Sequence, residues 1–142
     1  MFTEAERAIL VKSIKDISKY KHITPREMKK IINLLLLSKE RLINIYKSKE
    51  KGFILKFEEY ISWFLLKYFY PTSAEIIMDY LDKYYDHNKY KTFKQIKYIF
   101  IGYKDFKDTP NAKESQILFK YLDNIRIEYI IISNKVSESL II

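Results

Sequence analysis

The sequence has no cysteine, only two glycines and only three prolines among its 142 residues. The lack of cysteine excludes disulfide bonds, thiolate zinc sites and cysteine nucleophiles. So little glycine argues against glycine-rich phosphate-binding loops and against turn-dense β-sandwiches or barrels. The most apolar stretch, 53–70, includes Lys56, Glu58 and Lys67, and is too short and too charged to span a bilayer. The first twenty residues do not resemble a signal peptide, so we expect a cytoplasmic protein, located in the host cytoplasm if it is viral.

The composition supports a helical domain with a substantial core. Apolar residues make up 48% of the chain and charged residues 31%, with a net charge of +8. A chain of this length buries enough surface to fold without covalent cross-links. Lysine (22 residues) and isoleucine (23) are abundant, whereas alanine (4) is rare. This bias is typical of AT-rich coding sequences, as in many viruses, mobile elements and some thermophiles, and we expect a viral or mobile-element origin.

Threonines mark three expected helix starts. Thr3, Thr24 and Thr72 are each followed three residues later by a glutamate, the capping-box spacing that satisfies two otherwise unpaired backbone amides. Ser38 can cap a further helix, and the helix before Pro71 should end at that proline. The spacing of apolar residues then predicts helices over about 3–20, 25–36, 39–51, 53–69, 73–85, 92–102 and 113–124.

The C-terminal residues have a different pattern. Apolar and polar side chains alternate at the start of residues 125–132, which are also rich in β-branched side chains. Residues 133–135 can form a turn, and 136–142 can return as a second strand. This pattern predicts a β-hairpin. We therefore expect a mainly α protein of six or seven helices with a C-terminal β-hairpin, and a loop at 103–112.

Positive charge is concentrated in the first half of the chain. Residues 1–71 carry 15 basic and 8 acidic side chains, whereas residues 72–142 carry 11 and 10. We expect either a basic helical part at 1–71 followed by a nearly neutral part at 72–142, or one continuous domain. A polyanionic partner would bind mainly to the first half.

A helix-turn-helix candidate lies at 25–51, where two short predicted helices meet at Ser38. The second helix of such a motif enters the major groove, where arginine and asparagine suit base edges and lysine suits phosphates. The alternative is an ordinary solvated face, which any lysine-rich helix presents. One face of 39–51 carries Arg41, Asn44, Lys47, Ser48 and Lys51, and the first helix carries a stripe of Lys12, Lys15 and Lys19.

Residues 72–142 resemble a winged-helix domain, because three predicted helices are followed by a predicted hairpin. The resemblance is one of topology, and two features depart from it: the long loop before the third helix and the nearly neutral charge. The alternative is a hairpin that closes a helical core or pairs with another chain. The resemblance implies that 113–124 is the recognition helix and exposes Lys113, Gln116, Lys120 and Asn124, with Arg126 and Lys135 near the wing.

No residue pattern indicates catalysis or a cofactor. Asp79, Asp82 and Asp86 recur at helical spacing beside His87, and clustered carboxylates can hold hard cations, but interleaved lysines favour a solvated helix face. The sequence has no phosphate-binding loop, zinc pattern or paired nucleophile and base. We expect no enzyme activity, no cofactor, no metal and no small-molecule substrate.

The helix predicted at 53–69 is apolar around nearly its whole circumference, which is typical of a central or interface helix. A symmetric homodimer through this helix would bury it, and so would a single helical bundle. Most of the 13 tyrosines and 9 phenylalanines fit apolar helical positions, which favours packing over stacking on single-stranded nucleic acid.

Together these patterns predict a non-enzymatic protein that binds duplex DNA, as a transcription regulator of a virus or mobile element. The alternative is a helical structural or interaction protein, such as a virion subunit, a nucleic-acid-coating subunit or an inhibitor that docks on a host protein. Basic charge is consistent with both hypotheses. The predicted hairpin favours the first, and the apolar helix favours the second.

Overall fold

The chain is built from helices, as a computed structural model that describes residues 1–48 and 55–140 shows. The mainly α prediction is therefore confirmed. Within these residues, no helix is both long enough and apolar enough to cross a membrane. Lys51 and the end of the predicted helix 39–51 lie outside the described residues. In chain order the elements are α1 (Glu4–Ile17), α2 (Pro25–Ser48), α3 (Phe57–Phe69), α4 (Pro71–Tyr84), α5 (Phe93–Ile101), α6 (Lys104–Lys107), α7 (Ala112–Ser115), a 3₁₀ helix (Gln116–Tyr121) and α8 (Ile127–Glu138).

The first two helix starts follow the threonine signals. At α1, the amide of Thr3 donates to Glu6 Oε1 (3.0 Å) and the amide of Glu6 donates to Thr3 Oγ1 (3.2 Å). At α2, the amide of Glu27 donates to the hydroxyl of Thr24 (3.1 Å). The third prediction is wrong because α4 begins one residue before Thr72, at Pro71. Proline is favoured there, since the first residue of a helix needs no amide hydrogen.

The central helix is α3, which packs against α1, α4, α8 and the 3₁₀ helix. Its Trp63 is fully buried, and Trp63 Nε1 donates to Asn134 Oδ1 of α8 (3.3 Å). Tyr60, also fully buried, donates its hydroxyl hydrogen to Ser38 Oγ of α2 (2.7 Å). A single chain thus buries most of the apolar side chains between Phe57 and Phe69, and the homodimer through 53–69 stays a prediction.

The predicted turn at Ser38 is absent, because α2 runs without a break from Pro25 to Ser48. The helix-turn-helix candidate at 25–51 therefore lacks its turn. Ser38 continues a buried stripe at helical spacing rather than capping a helix, and its hydroxyl donates to the carbonyl oxygen of Leu34 (2.8 Å). That bond accommodates serine inside a helix. The stripe consists of Ile31, Leu35, Ser38 and Leu42.

The predicted C-terminal hairpin is wrong, since residues 127–138 form α8 and residues 1–48 and 55–140 contain no β-strand. An isolated antiparallel bridge joins Thr92 to Arg126. A β-branched residue costs a helix only about 0.7 kcal/mol or less, and burial outweighs that cost. The wing of the winged-helix-like part at 72–142 is therefore absent. The buried side of α8 comprises Ile127, Ile130, Ser133, Asn134, Val136 and Ser137.

The predicted recognition helix at 113–124 is also divided. The short α7 ends at Ser115 and a 3₁₀ helix follows it. Ser115 is fully buried, and its hydroxyl accepts a hydrogen bond from Ser73 of α4 (3.0 Å). The preceding 103–112 is not a plain loop, because α6 places Phe106 in the core.

Candidate nucleic-acid interface

Three lysines line the outer side of α1. Lys12 and Lys15 on α1 and Lys19 in the turn just after it are exposed, and at 100° per residue their positions fall within an arc of about 60°. Of the acidic residues of α1, Glu6 and Asp16 are 8% and 7% exposed, whereas Glu4, in the first turn, is exposed. From residue 7 to residue 19, the exposed charges of α1 and of the turn after it are therefore all positive.

Asp16 brings a fourth lysine to this surface. Asp16 Oδ2 accepts hydrogen bonds from Tyr121 OH (2.5 Å) and Lys120 Nζ (3.0 Å), and Oδ1 accepts one from Lys19 Nζ (3.4 Å). The hydrogen bond from Tyr121, with the two ammonium groups, holds the pKa of Asp16 below its usual range. One carboxylate thus faces two ammonium groups, which leaves an excess positive charge. We refer to Lys12, Lys15, Lys19 and Lys120 as the basic face.

The hydroxyl of Tyr121 fixes the position of the 3₁₀ helix against α1. Burial, together with the neighbouring carboxylate of Asp16, raises the pKa of Tyr121 to about 12, so the hydroxyl keeps its proton and donates it at neutral pH. The side chains of Lys19 and Lys120 remain 59% and 57% exposed beside this bond. Their ammonium groups are therefore accessible to a ligand in solution.

The other buried carboxylate of α1, that of Glu6, is paired with a lysine of α2. Glu6 Oε1 accepts hydrogen bonds from Lys39 Nζ of α2 (2.6 Å) and from the amide of Thr3 (3.0 Å). Burial alone would raise the pKa of Glu6, but these hydrogen bonds outweigh burial and lower the pKa. The negative charge of Glu6 is thus paired with Lys39 inside the fold, and the exposed acidic charge of α1 is confined to Glu4 in its first turn.

Positive charge continues along the chain beyond α1. Residues 7–30 contain eight basic and two acidic side chains, a net charge of +6 against +8 for the whole chain. In the first turns of α2, the side chains of Arg26, Lys29 and Lys30 are exposed. The segment that carries three of the four lysines of the basic face therefore also carries most of the excess charge.

Arg41 and Asn44, which the sequence predicts to read base edges, lie on α2 and not on α1. Arg41 Nη1 donates to the carbonyl oxygen (2.6 Å) and hydroxyl (2.7 Å) of Ser139, at the end of α8. A cation is stabilised there by the unpaired carbonyls and the helix dipole, so Arg41 serves the fold at that position. Asn44 is exposed, and Lys47 lies in the last turn of α2.

The C-terminal candidates are separated by the break after α7. Lys113 is exposed on α7, Gln116 is half-buried at the start of the 3₁₀ helix, and Lys120 joins the basic face through Asp16. The structure thus brings together Lys120 and the lysines of α1, two sets that the sequence assigned to separate candidate interfaces. It does not present 113–124 as one straight recognition helix.

Asp16 and Tyr121 are the residues of the candidate interface that the sequence analysis missed. They lie 105 positions apart in the chain, and no local pattern links an aspartate in the last turn of one helix to a distant tyrosine. Within residues 1–48 and 55–140, no group of three or more histidine, aspartate or glutamate side chains is arranged to hold a metal ion. The carboxylates of Asp79, Asp82 and Asp86 form no such group.

No protein-family model, curated protein or solved structure matches this chain.

Proposed function

We propose that the protein binds nucleic acid through phosphate contacts of the basic face, with duplex DNA as the partner. The observation that carries this proposal is the convergence of exposed lysines from α1 and the 3₁₀ helix on a surface whose carboxylates are buried and paired. Lysine contacts phosphates as a point charge, and such contacts position a protein without reading sequence. The proposed binding is therefore largely independent of DNA sequence.

The strength of this binding depends on counterion release. Each phosphate that a lysine neutralises contributes a slope of about −0.9 to the plot of log affinity against log salt concentration. Four contacts from the basic face give a slope of about −3.6. The exposed Arg26, Lys29 and Lys30 of α2 add to this slope where the duplex reaches them.

The test is a titration of the wild-type chain with a fluorescently labelled duplex, followed by anisotropy between about 50 and 300 mM salt. We expect a linear log–log plot with a slope of about −3.6 or steeper, and similar affinities for duplexes of unrelated sequence. An absence of binding at the lowest salt concentration would contradict the proposal and favour the helical structural or interaction protein. A strong preference for one sequence would show that phosphate contacts alone do not describe the interface.

A further inference from the structure

A cavity lies where the turn after α1 meets the segment from α6 to α7. It has a volume of about 470 Å³, within the range of roughly 300–1,000 Å³ that is typical of ligand pockets. Tyr20, in the turn after α1, lines the cavity and is 55% exposed. Asn111 also lines it and has a φ of 64°, the left-handed conformation that asparagine tolerates better than most residues. That residue leads the chain into α7, whose Lys113 and Glu114 complete the polar lining.

The charged side chains that line the cavity are two lysines and one glutamate. Lys107 and Lys113 are exposed, and neither ammonium group forms a hydrogen bond or an ion pair with a described residue. Asp108, next to Lys107 in the chain, is exposed but does not line the cavity. The two lysines therefore offer positive charge to an anionic group of a ligand.

Glu114 supplies a hydrogen-bond acceptor at the same cavity. Its Oε2 is buried and lies 4.0 Å from Lys21 Nζ, while the side chain as a whole is 21% exposed. No described residue forms a hydrogen bond with Oε2 or with the hydroxyl of Tyr70, which is 3% exposed. Burial, together with the neighbouring carboxylate of Glu114, raises the pKa of Tyr70, so that hydroxyl stays protonated. A half-buried carboxylate without a hydrogen bond is costly, and a ligand that donates an N–H group would remove that cost.

We infer that this cavity, which we call the Glu114 pocket, holds one unpaired guanine nucleotide. The base would stack on the exposed ring of Tyr20, and the phosphate would contact Lys107 and Lys113. Guanine presents two adjacent N–H donors on its Watson–Crick edge, which match the carboxylate of Glu114, a group that only accepts hydrogen bonds. Adenine and cytosine place a ring-nitrogen acceptor beside their amino group, and the carboxylate would repel it. A metal ion would be repelled by the lysines, and a simple anion would leave Glu114 without a donor.

The experiment compares guanosine monophosphate with inosine monophosphate, which lacks only the exocyclic amino group of the base. A hydrogen bond to a charged group is worth about tenfold or more in affinity. We therefore expect the wild-type chain to bind guanosine monophosphate at least about tenfold more tightly in isothermal titration calorimetry. The variant Glu114→Gln should lose most of this preference, because it removes the charge that strengthens the hydrogen bond.

The matched control is Glu75→Gln, which removes one exposed carboxylate from α4 and should keep the preference for guanosine monophosphate. Circular dichroism verifies that both glutamine variants fold. A preference that Glu114→Gln leaves undiminished would contradict the assignment of Glu114 as the acceptor and overturn the inference.

Two further variants test the other contacts of the nucleotide. Tyr20→Ala should weaken the binding of both nucleotides by about tenfold and leave their ratio unchanged, whereas Tyr20→Phe keeps the ring and should keep the wild-type affinity. Lys107→Gln/Lys113→Gln should remove the advantage of guanosine monophosphate over guanosine, which has no phosphate.

A free nucleotide and an unpaired base of a nucleic acid offer the pocket the same chemistry. A labelled duplex with a single-stranded guanine overhang tests the second source, with an inosine overhang as its control. A preference for the guanine overhang supports the inference and assigns the pocket to nucleic acid, whereas a preference limited to mononucleotides supports it with a free nucleotide as the ligand. Equal affinities of the wild-type chain for guanine and inosine in both forms would overturn it.

The inference does not depend on duplex binding by the basic face. If the chain fails to bind a blunt duplex while the preference for guanine persists, the proposed function falls and the inference stands. If the blunt duplex binds with the expected salt dependence and guanine is not preferred in either form, the proposed function stands and the inference falls.

Discussion

The double variant Lys12→Gln/Lys15→Gln is expected to bind duplex DNA about fiftyfold more weakly than the wild type at about 0.1 M salt. Each lost phosphate contact removes about 0.9 from the salt slope, so the slope should fall from about −3.6 to about −1.8. Both lysines are exposed on α1, and glutamine has a similar helix propensity. The loss therefore measures electrostatic contact with DNA rather than a change in the fold.

The matched control removes the same charge elsewhere. Lys56, just before α3, and Lys135, on α8, are both exposed. The variant Lys56→Gln/Lys135→Gln lowers the net charge by the same two units. We expect this control to keep nearly the wild-type affinity and slope in the same anisotropy titration. Equal losses in the two variants would mean that net charge, and not the basic face, determines binding.

The largest expected effect on stability comes from Trp63→Ala, which should lower the free energy of unfolding by about 3–5 kcal/mol. Trp63 is fully buried in α3 and hydrogen-bonds Asn134 of α8, so its removal leaves a cavity where α3 meets α8. A loss of this size is a large part of the roughly 5–15 kcal/mol that stabilises a typical domain. Urea denaturation followed by circular dichroism measures it.

Tyr98→Ala is the control for this substitution, because it also removes an aromatic ring but from a position that is 75% exposed. A surface substitution should change the free energy of unfolding by no more than about 0.5 kcal/mol. If Trp63→Ala cost no more than Tyr98→Ala, α3 would not be the centre of the core. The apolar helix would then need another explanation, such as the dimer considered from the sequence.

Local signals were sufficient for the starts of α1 and α2 and for the exposed lysines along α1. The hydroxyl groups of Thr3 and Thr24 accept bonds from residues three positions later, so everything that determines these starts lies within one turn. Lys12 and Lys15 share one side of α1 because of helical geometry alone, and Lys19 follows in the turn after the helix. Their exposure could therefore be predicted before the tertiary structure was known.

The mistaken predictions concern residues whose partners are distant in the chain. Ser38 is polar and suits a cap, yet it lies inside α2 because Tyr60 and the carbonyl oxygen of Leu34 satisfy its hydroxyl. In α8, Asn134 and Ser137 are buried polar residues that interrupt the apolar pattern of the helix. Lys67 of α3 supplies hydrogen bonds to both (3.1 Å each). The local sequence does not reveal that partner, so the β-branched residues dominate the pattern, which then predicts a strand.

The candidate site was only partly predictable for the same reason. The link between Asp16 and Tyr121 spans 105 positions, and the bond between Arg41 and Ser139 spans 98. The first adds Lys120 to the lysines of α1, and the second holds a predicted base-reading arginine at the end of α8. Neither contact produces a recognisable pattern among residues that are close together in the sequence.

Lysine acetylation footprinting with and without duplex DNA, read residue by residue by mass spectrometry, tests the basic face most directly. We expect DNA to protect Lys12, Lys15, Lys19 and Lys120 from acetylation, and to leave Lys56 and Lys135 as reactive as in the protein alone. Unchanged reactivity of the basic face under conditions where DNA is bound, with protection confined to other lysines, would contradict the account.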